Sequence, residues 1–211
     1  MRKPTRNVIV VLSGIVLFLS VIALCGVIHA HIQRIRTERF LAVLSQIRVG
    51  LTDDATAVRL TERYPRQWTE SSNGGQKQLG FYFDNRGMYL LRLAPYTEFR
   101  ASITFKDGLV VRKNAGVGVG DYAGGLPGIG WFAWVTESVR GFGFADDVAP
   151  KEYPNHIVRG GAARDTTIDD DNTYPEAERH RDWAFNLACL TRLGGCPDSR
   201  LLLPNAVPTT Q

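Results

Sequence analysis

The chain has 211 residues and a formal charge of +4, from 25 Lys and Arg against 21 Asp and Glu. Arg2, Lys3 and Arg6 stand at its start and the first 30 residues hold no acid, so the remainder is close to neutral and offers nucleic acid no electrostatic footprint. With that N-terminal stretch set aside, roughly 180 residues remain, enough to bury the core of one domain.

The first element is Val8 to Ile28, which has no charged residue and no Pro, Asn or Gln. At about 1.5 Å rise per residue, such a run makes a helix of roughly 30 Å, the thickness of a bilayer's hydrocarbon. We read residues 8–30 as a transmembrane signal-anchor and residues 1–7 as a cytoplasmic tail. The alternatives fit less well. A secretory apolar region is shorter than this one, and cleavage after Ala30, which would release a secreted protein, puts Ile28 where a small residue is needed. Lipidation at Cys25 would place Leu24 in a similar position. Positive-inside counting is nearly balanced, with Arg2, Lys3 and Arg6 on one side and Arg34, Arg36 and Arg39 beside Glu38 on the other. Cysteine usage breaks the tie. Cys25 lies in the span, whereas Cys189 and Cys196 form a close pair in an otherwise cysteine-poor body, which fits a disulfide in an oxidising compartment. The expected protein is a single-pass cell membrane protein with a cytoplasmic N-terminus, an extracytoplasmic α+β domain over 31–204 and a disordered tail over 205–211. His29 and His31, at the exit, read as interfacial residues rather than a metal pair.

Beyond the span, apolar residues at Ile32, Ile35, Phe40, Val43, Leu44 and Ile47 predict a helix continuing out of the membrane until Gly50. Thr52 or Asp53 caps the next helix, whose apolar side holds Ala57, Val58, Leu60 and Tyr64, and Pro65 stops it. Residues 71–75 form a turn or loop. Four strand-like runs follow, 79–84, 88–93, 96–105 and 109–112. Asp107-Gly108 suits a tight hairpin turn with positive φ. Phe99, Ala101, Ile103 and Phe105 share one face, which predicts an antiparallel meander buried on one side. Residues 114–130 are glycine-dense and read as a turning loop. Trp131 to Val135 is a strand apolar on both faces, and Gly141 to Phe144 returns beside it. Asp146 to Pro154 is a polar loop, and His156 to Arg159 a short last strand. Thr173 with Glu176 opens a C-terminal helix whose core stripe is Trp183, Ala184, Leu187 and Leu190. Gly194-Gly195 ends it in the left-handed manner. The predicted fold class is therefore α+β: one N-terminal transmembrane helix, a helix pair, an antiparallel sheet meander and a C-terminal helix.

Motifs with chemistry fail on context. Gly118-x-Gly120 echoes a dinucleotide fingerprint, but Gly124, Gly125, Pro127, Gly128 and Gly130 forbid the helix that must follow. Asp169-Asp170-Asp171 opens like a calcium loop, yet positions six and twelve are Tyr174 and His180, so it reads as a solvated acidic turn before a helix. His180-Arg181-Asp182 lacks the other kinase elements. Cys189 and Cys196 have six residues between them and suit a structural bridge rather than redox catalysis. No cofactor, metal or catalytic residue is assigned. An enzyme reading would draw on scattered carboxylates such as Glu98, Asp121 and Asp146, with no motif behind them. Trp131, Phe132 and Trp134, next to the glycine-dense stretch, are either a partner surface or the core of a modest sheet. Membrane and another envelope protein are the expected partners, in a binding or scaffolding role.

Two local resemblances accompany this reading. Residues 44–58, with Gly50-Leu51-Thr52 leading to Val58, resemble the opening of small barrel-assembly-type envelope lipoprotein modules. That family implies a helix pair packed on a short antiparallel sheet and a binding or scaffolding role. This chain keeps only Tyr64-Pro65 of the usual Gly-x-Pro and lacks the lipoprotein cysteine. Cys189-Leu-Thr-Arg-Leu-Gly-Gly-Cys196, followed by Leu203-Pro204, is similar to the ending of uncharacterised single-pass membrane proteins of soil bacteria, which implies no particular activity.

Overall fold

The structure is a computed structural model that describes residues 3–71, 76–120, 130–140, 142, 156–160, 165–196, 198 and 201–206. Its axis is α1 (Lys3–Leu44), an unbroken helix of 42 residues that is long and apolar enough to cross a membrane. Its one side-chain-to-backbone bond inside the apolar run among the described residues is made by Ser20, whose hydroxyl donates to Val16 O at 2.8 Å, so that polar group needs no external partner. Residues 8–21 are exposed on every side. From Ile22 onward the helix becomes one-sided: Gly26, Ala30, Thr37, Phe40, Val43 and Leu44 are buried at helical spacing. The same helix thus serves as candidate span and as core element.

After Gly50, at φ +78°, α2 (Asp54–Thr61) starts from Asp53, which accepts from Thr56 N at 2.8 Å. Among the described residues seven strands form one sheet: β1 (Arg66–Ser71), β2 (Lys77–Asp84), β3 (Thr97–Lys106), β4 (Leu109–Gly120), β5 (Gly130–Ser138), β6 (His156–Gly160) and β7 (Asp165–Asp171). Their order is β1-β2-β3-β4-β5-β7-β6, antiparallel throughout except where β5 meets β7. Phe99, Ala101, Ile103 and Phe105 do share the buried face, and Asp107 and Gly108 both take positive φ in the β3–β4 turn. Phe40 of α1 sits in this face, with ring centroids 4.6 Å from Phe81, 4.9 Å from Tyr64 and 5.5 Å from Phe83.

The α+β class holds, with four corrections to its parts. The strand expected over 88–93 is the short helix α3 (Arg86–Leu90). Asn85 fixes the loop that contains it, accepting from Thr97 N at 2.8 Å and donating to Pro95 O at 3.0 Å. Leu93 N then bonds Met88 O and Arg92 N bonds Tyr89 O, the paired closure of a Schellman ending, with Met88 and Leu93 packed together. The loop expected from residue 114 is instead the second half of β4. Gly116, Gly118 and Gly120 alternate with Val117 and Val119, and a Cβ on Gly116 would lie 1.7 Å from the Trp134 ring. Gly116 makes room for the Trp134 ring of the neighbouring strand. The acidic turn expected at Asp169–Asp171 is part of β7, which makes the sheet mixed rather than a pure meander. Finally, the long C-terminal helix is a short α4 (Glu176–Asp182), with Pro175 at its cap, followed by a 3-10 turn at Leu187–Leu190. Thr173 bonds Asp171 rather than capping α4. Gly194 and Gly195 do adopt positive φ. Of the expected return strand at 141–144 only Phe142 lies among the described residues, and the loop at 146–154 lies outside them.

Candidate functional site

The far end of α1 carries a buried charge cluster. The helix has no basic residue in its last turn, and Leu44 O at its end and Ile47 O in the turn that follows accept from the sheet. Lys113, on the core face of β4, reaches them: its Nζ donates to Ile47 O at 2.8 Å and Leu44 O at 3.3 Å and pairs with Glu137 Oε2 of β5 at 3.0 Å. Arg179 of α4 closes on the other oxygen of Glu137 and donates to Tyr174 O. The Trp183 ring lies 4.9 Å from the ammonium. Burial pulls the Lys113 pKa down while the Glu137 carboxylate opposes that shift. A nucleophilic lysine needs a free lone pair and room for substrate. Here three acceptors take the three N–H bonds, and the adjoining cavity of about 20 Å³ has space for about one water. Lys113 is therefore a cap for the helix and a link to the sheet, not a reactive amine.

Nearer the candidate span, an open groove of about 620 Å³ runs between α1, the segment after α2, and β2. Gln33, Arg36 and Arg39 line it from α1, Arg63, Tyr64 and Pro65 from the second wall, and Tyr82, Phe83, Asp84 and Arg86 from the third. Four arginines and one acid are thus among its lining residues. Asp84 pairs with Arg86 at 3.4 Å, while among the described residues Arg36, Arg39 and Arg63 have no acid within 4 Å. Arg63 lies over the Tyr64 ring, 5.8 Å from its centroid. Planar, permanently charged donors of this kind recognise phosphate and carboxylate oxygens in pairs.

Behind the groove, on the sheet face turned away from α1, Tyr82 Oη donates to Glu98 Oε2 at 3.1 Å and Tyr96 Oη to Asp84 Oδ2 at 3.3 Å. Burial pushes the Glu98 carboxyl up, against the pull of Arg100, whose Nε is 2.6 Å away. Burial, aided by the Glu98 charge, pushes the Tyr96 phenol up to about 12. Asp121 and Asp146, the other carboxylates considered for catalysis, lie outside the described residues. Among the described residues no three His, Cys, Asp or Glu side chains converge on a metal position.

Cys189 and Cys196 form a disulfide with Cα atoms 5.3 Å apart, both sulfurs buried in the main core. Phe132 and Trp134 lie half-buried on the face opposite Ala133 and Val135, with Trp134 over Gly116; the Trp131 side chain is outside the described residues. They are not brought to the groove. Sequence reasoning used Arg36 and Arg39 only to orient the chain and did not connect them with Arg63 and Arg86. The missed signal is a run of arginines with one intervening acid just past an apolar helix. Comparison with protein-family models, curated proteins and solved structures finds no match.

Proposed function

We propose that this chain is a single-pass membrane protein of the cell envelope that works by binding, and that the arginine groove is its ligand site. The N-terminus lies in the cytoplasm and the sheet domain outside it; the buried Cys189–Cys196 bridge supports that orientation, because such bridges persist in oxidising compartments. The observation that carries the reading is the groove of about 620 Å³ beside the helix exit, where Arg36, Arg39 and Arg63 stand without acidic partners among the described residues. Its ligand is an anionic group of the phosphate or carboxylate kind, carried by a small molecule or by another envelope protein. Phe132 and Trp134 offer the same module a second contact surface.

The test uses the full chain in lipid nanodiscs, titrated with inorganic pyrophosphate by calorimetry. Binding that weakens with salt and is lost in Arg36→Gln/Arg39→Gln supports the reading. Equal binding by the parent and the double variant removes it. Orientation is tested separately in intact cells: free thiols at Cys189 and Cys196, reached only from the cytosol, would overturn the extracytoplasmic placement.

A further inference from the structure

The contact between α1 and α3 falls at an unexpected depth. Arg6 and Asn7 bar the span from starting before Val8, so about 30 Å of hydrocarbon reaches roughly to Ile28. Only residues 8–21 are free on every side, and these account for about 21 Å at roughly 1.5 Å per residue. The remaining two turns of the apolar run are already occupied on one face. Gly26 meets Gly87 almost backbone to backbone, and a Cβ on Gly26 would lie 2.6 Å from Leu91 Cδ1 and 3.3 Å from Gly87 O. Ala30, Met88 and Ala94 continue the contact as a small separate core with Leu93 against it.

The disulfide hairpin joins the same collar. Gly194 N bonds Leu93 O at 3.2 Å, Gly195 lies against Pro95, and Arg34 reaches Thr191 Oγ1 at 3.4 Å. The outward side chains of this collar are wrong for water. Leu90 is 71% exposed and Leu193 66%, and the arginines Arg86, Arg92 and Arg192, all exposed, stand within four residues of one or the other in the chain. Arg92 takes φ +56° at the position of the Schellman ending where glycine is the usual choice. Exposed apolar side chains with arginines close by in the chain, on a short helix beside a span, suit the boundary where acyl chains give way to phosphates.

We infer that α3 and the 191–195 hairpin are seated in the bilayer interface, with Leu90 and Leu193 entering the upper acyl region and Arg86, Arg92 and Arg192 at the lipid phosphates. The inference rests on the reading of α1 as a span. The occupant of the patch is lipid rather than a protein partner, because α3 meets α1 at Gly26, within the apolar run that lipid must cover.

Single cysteines at positions 16, 90, 193 and 109, placed in a Cys25→Ala background and labelled with an environment-sensitive fluorophore, test this in nanodiscs of phosphatidylethanolamine and phosphatidylglycerol. All four native side chains are exposed, so the labels leave the packing intact. Leu109 lies by the far end of α1 and serves as the water-side control. Lipids spin-labelled high on the acyl chain should quench positions 90 and 193 at least about twofold more than position 109, and deep-labelled lipids should quench position 16. Quenching at 16 without quenching at 90 and 193 overturns the seat and leaves the anchor standing, including the case in which a second copy covers the patch. Absence of quenching at 16 removes the anchor itself.

Discussion

The two ends of the packed half of α1 are held by opposite means. At the far end, polar backbone groups are satisfied by a buried ammonium carried on a strand, inside a lattice of Glu137, Arg179 and Trp183. At the end nearest the span, no charge is used: two glycines let backbones touch, and Met88 and Leu93 fill the remaining space. The difference follows from what each end leaves unsatisfied. A helix terminus exposes carbonyls that must find donors, whereas the middle of a helix has none to offer and can be gripped only by shape.

The largest effect expected from breaking this comparison is at the far end. Lys113→Met removes the donor to Leu44 O and Ile47 O and leaves Glu137 buried with Arg179 alone. That should cost about 3–5 kcal/mol, read as a lower denaturation midpoint of the full chain in detergent. A change under about 1 kcal/mol would mean that water substitutes for the ammonium and that the cluster is not a clip. At the near end, Gly26→Ala should cost about 1–3 kcal/mol, because Leu91 must yield and Gly87 O cannot. Labels placed on the exposed side chains of α1 and α3 should report their separation. A variant as stable as the parent would show that this grip is loose.

These two grips were unequally legible. Gly26 and Gly87 stand out in the sequence as small residues, but nothing local says that they meet across some 60 residues of chain. Lys113 sits in a run that reads as strand, and the acceptors it serves are 66 and 69 positions earlier, so its role is set wholly by topology. The meander and the Phe99–Phe105 face were legible because alternation is a local signal. Gly116, Gly118 and Gly120 carried that same period of two, which was masked by reading glycine as a breaker. Met88–Leu93 went the other way: its composition favours a strand, and the Asn85 bonds and the bulk of α1 impose a helical turn instead. The arginine groove draws on three separate segments and is visible only once they are assembled.

A titration sharpens the near end without a large energy change at neutral pH. Tyr96 is held neutral up to about 12 by burial and by Glu98, above the ordinary 10.0 of a phenol. Between those values the unfolded chain has lost the proton that the folded chain keeps, so stability falls as the pH rises through that window. Two tyrosines, Tyr96 and Tyr174, should ionise late by ultraviolet absorbance, and Tyr96→Phe should remove one of them and lessen the alkaline loss. The Glu98 carboxyl, also raised by burial, has the same sign at lower pH: stability declines as the pH climbs above the usual carboxylate range, and Glu98→Gln should abolish that slope.

The smallest effect separates folding from seating at a single residue. Arg92 pays a backbone cost of about 1 kcal/mol for its left-handed conformation, a cost that glycine would not incur. Arg92→Gly should therefore leave the chain slightly more stable in detergent, by about 1 kcal/mol or less once the greater freedom of the unfolded chain is included. If the α3 collar is seated as inferred, the same variant loses a guanidinium from the lipid phosphates in nanodiscs, and quenching at position 90 should fall while quenching at position 16 holds. If Arg92 served only the α3 turn, detergent stability would change and the nanodisc signal would not. A gain in one measurement with a loss in the other places the arginine where membrane contact outweighs the local strain of the turn.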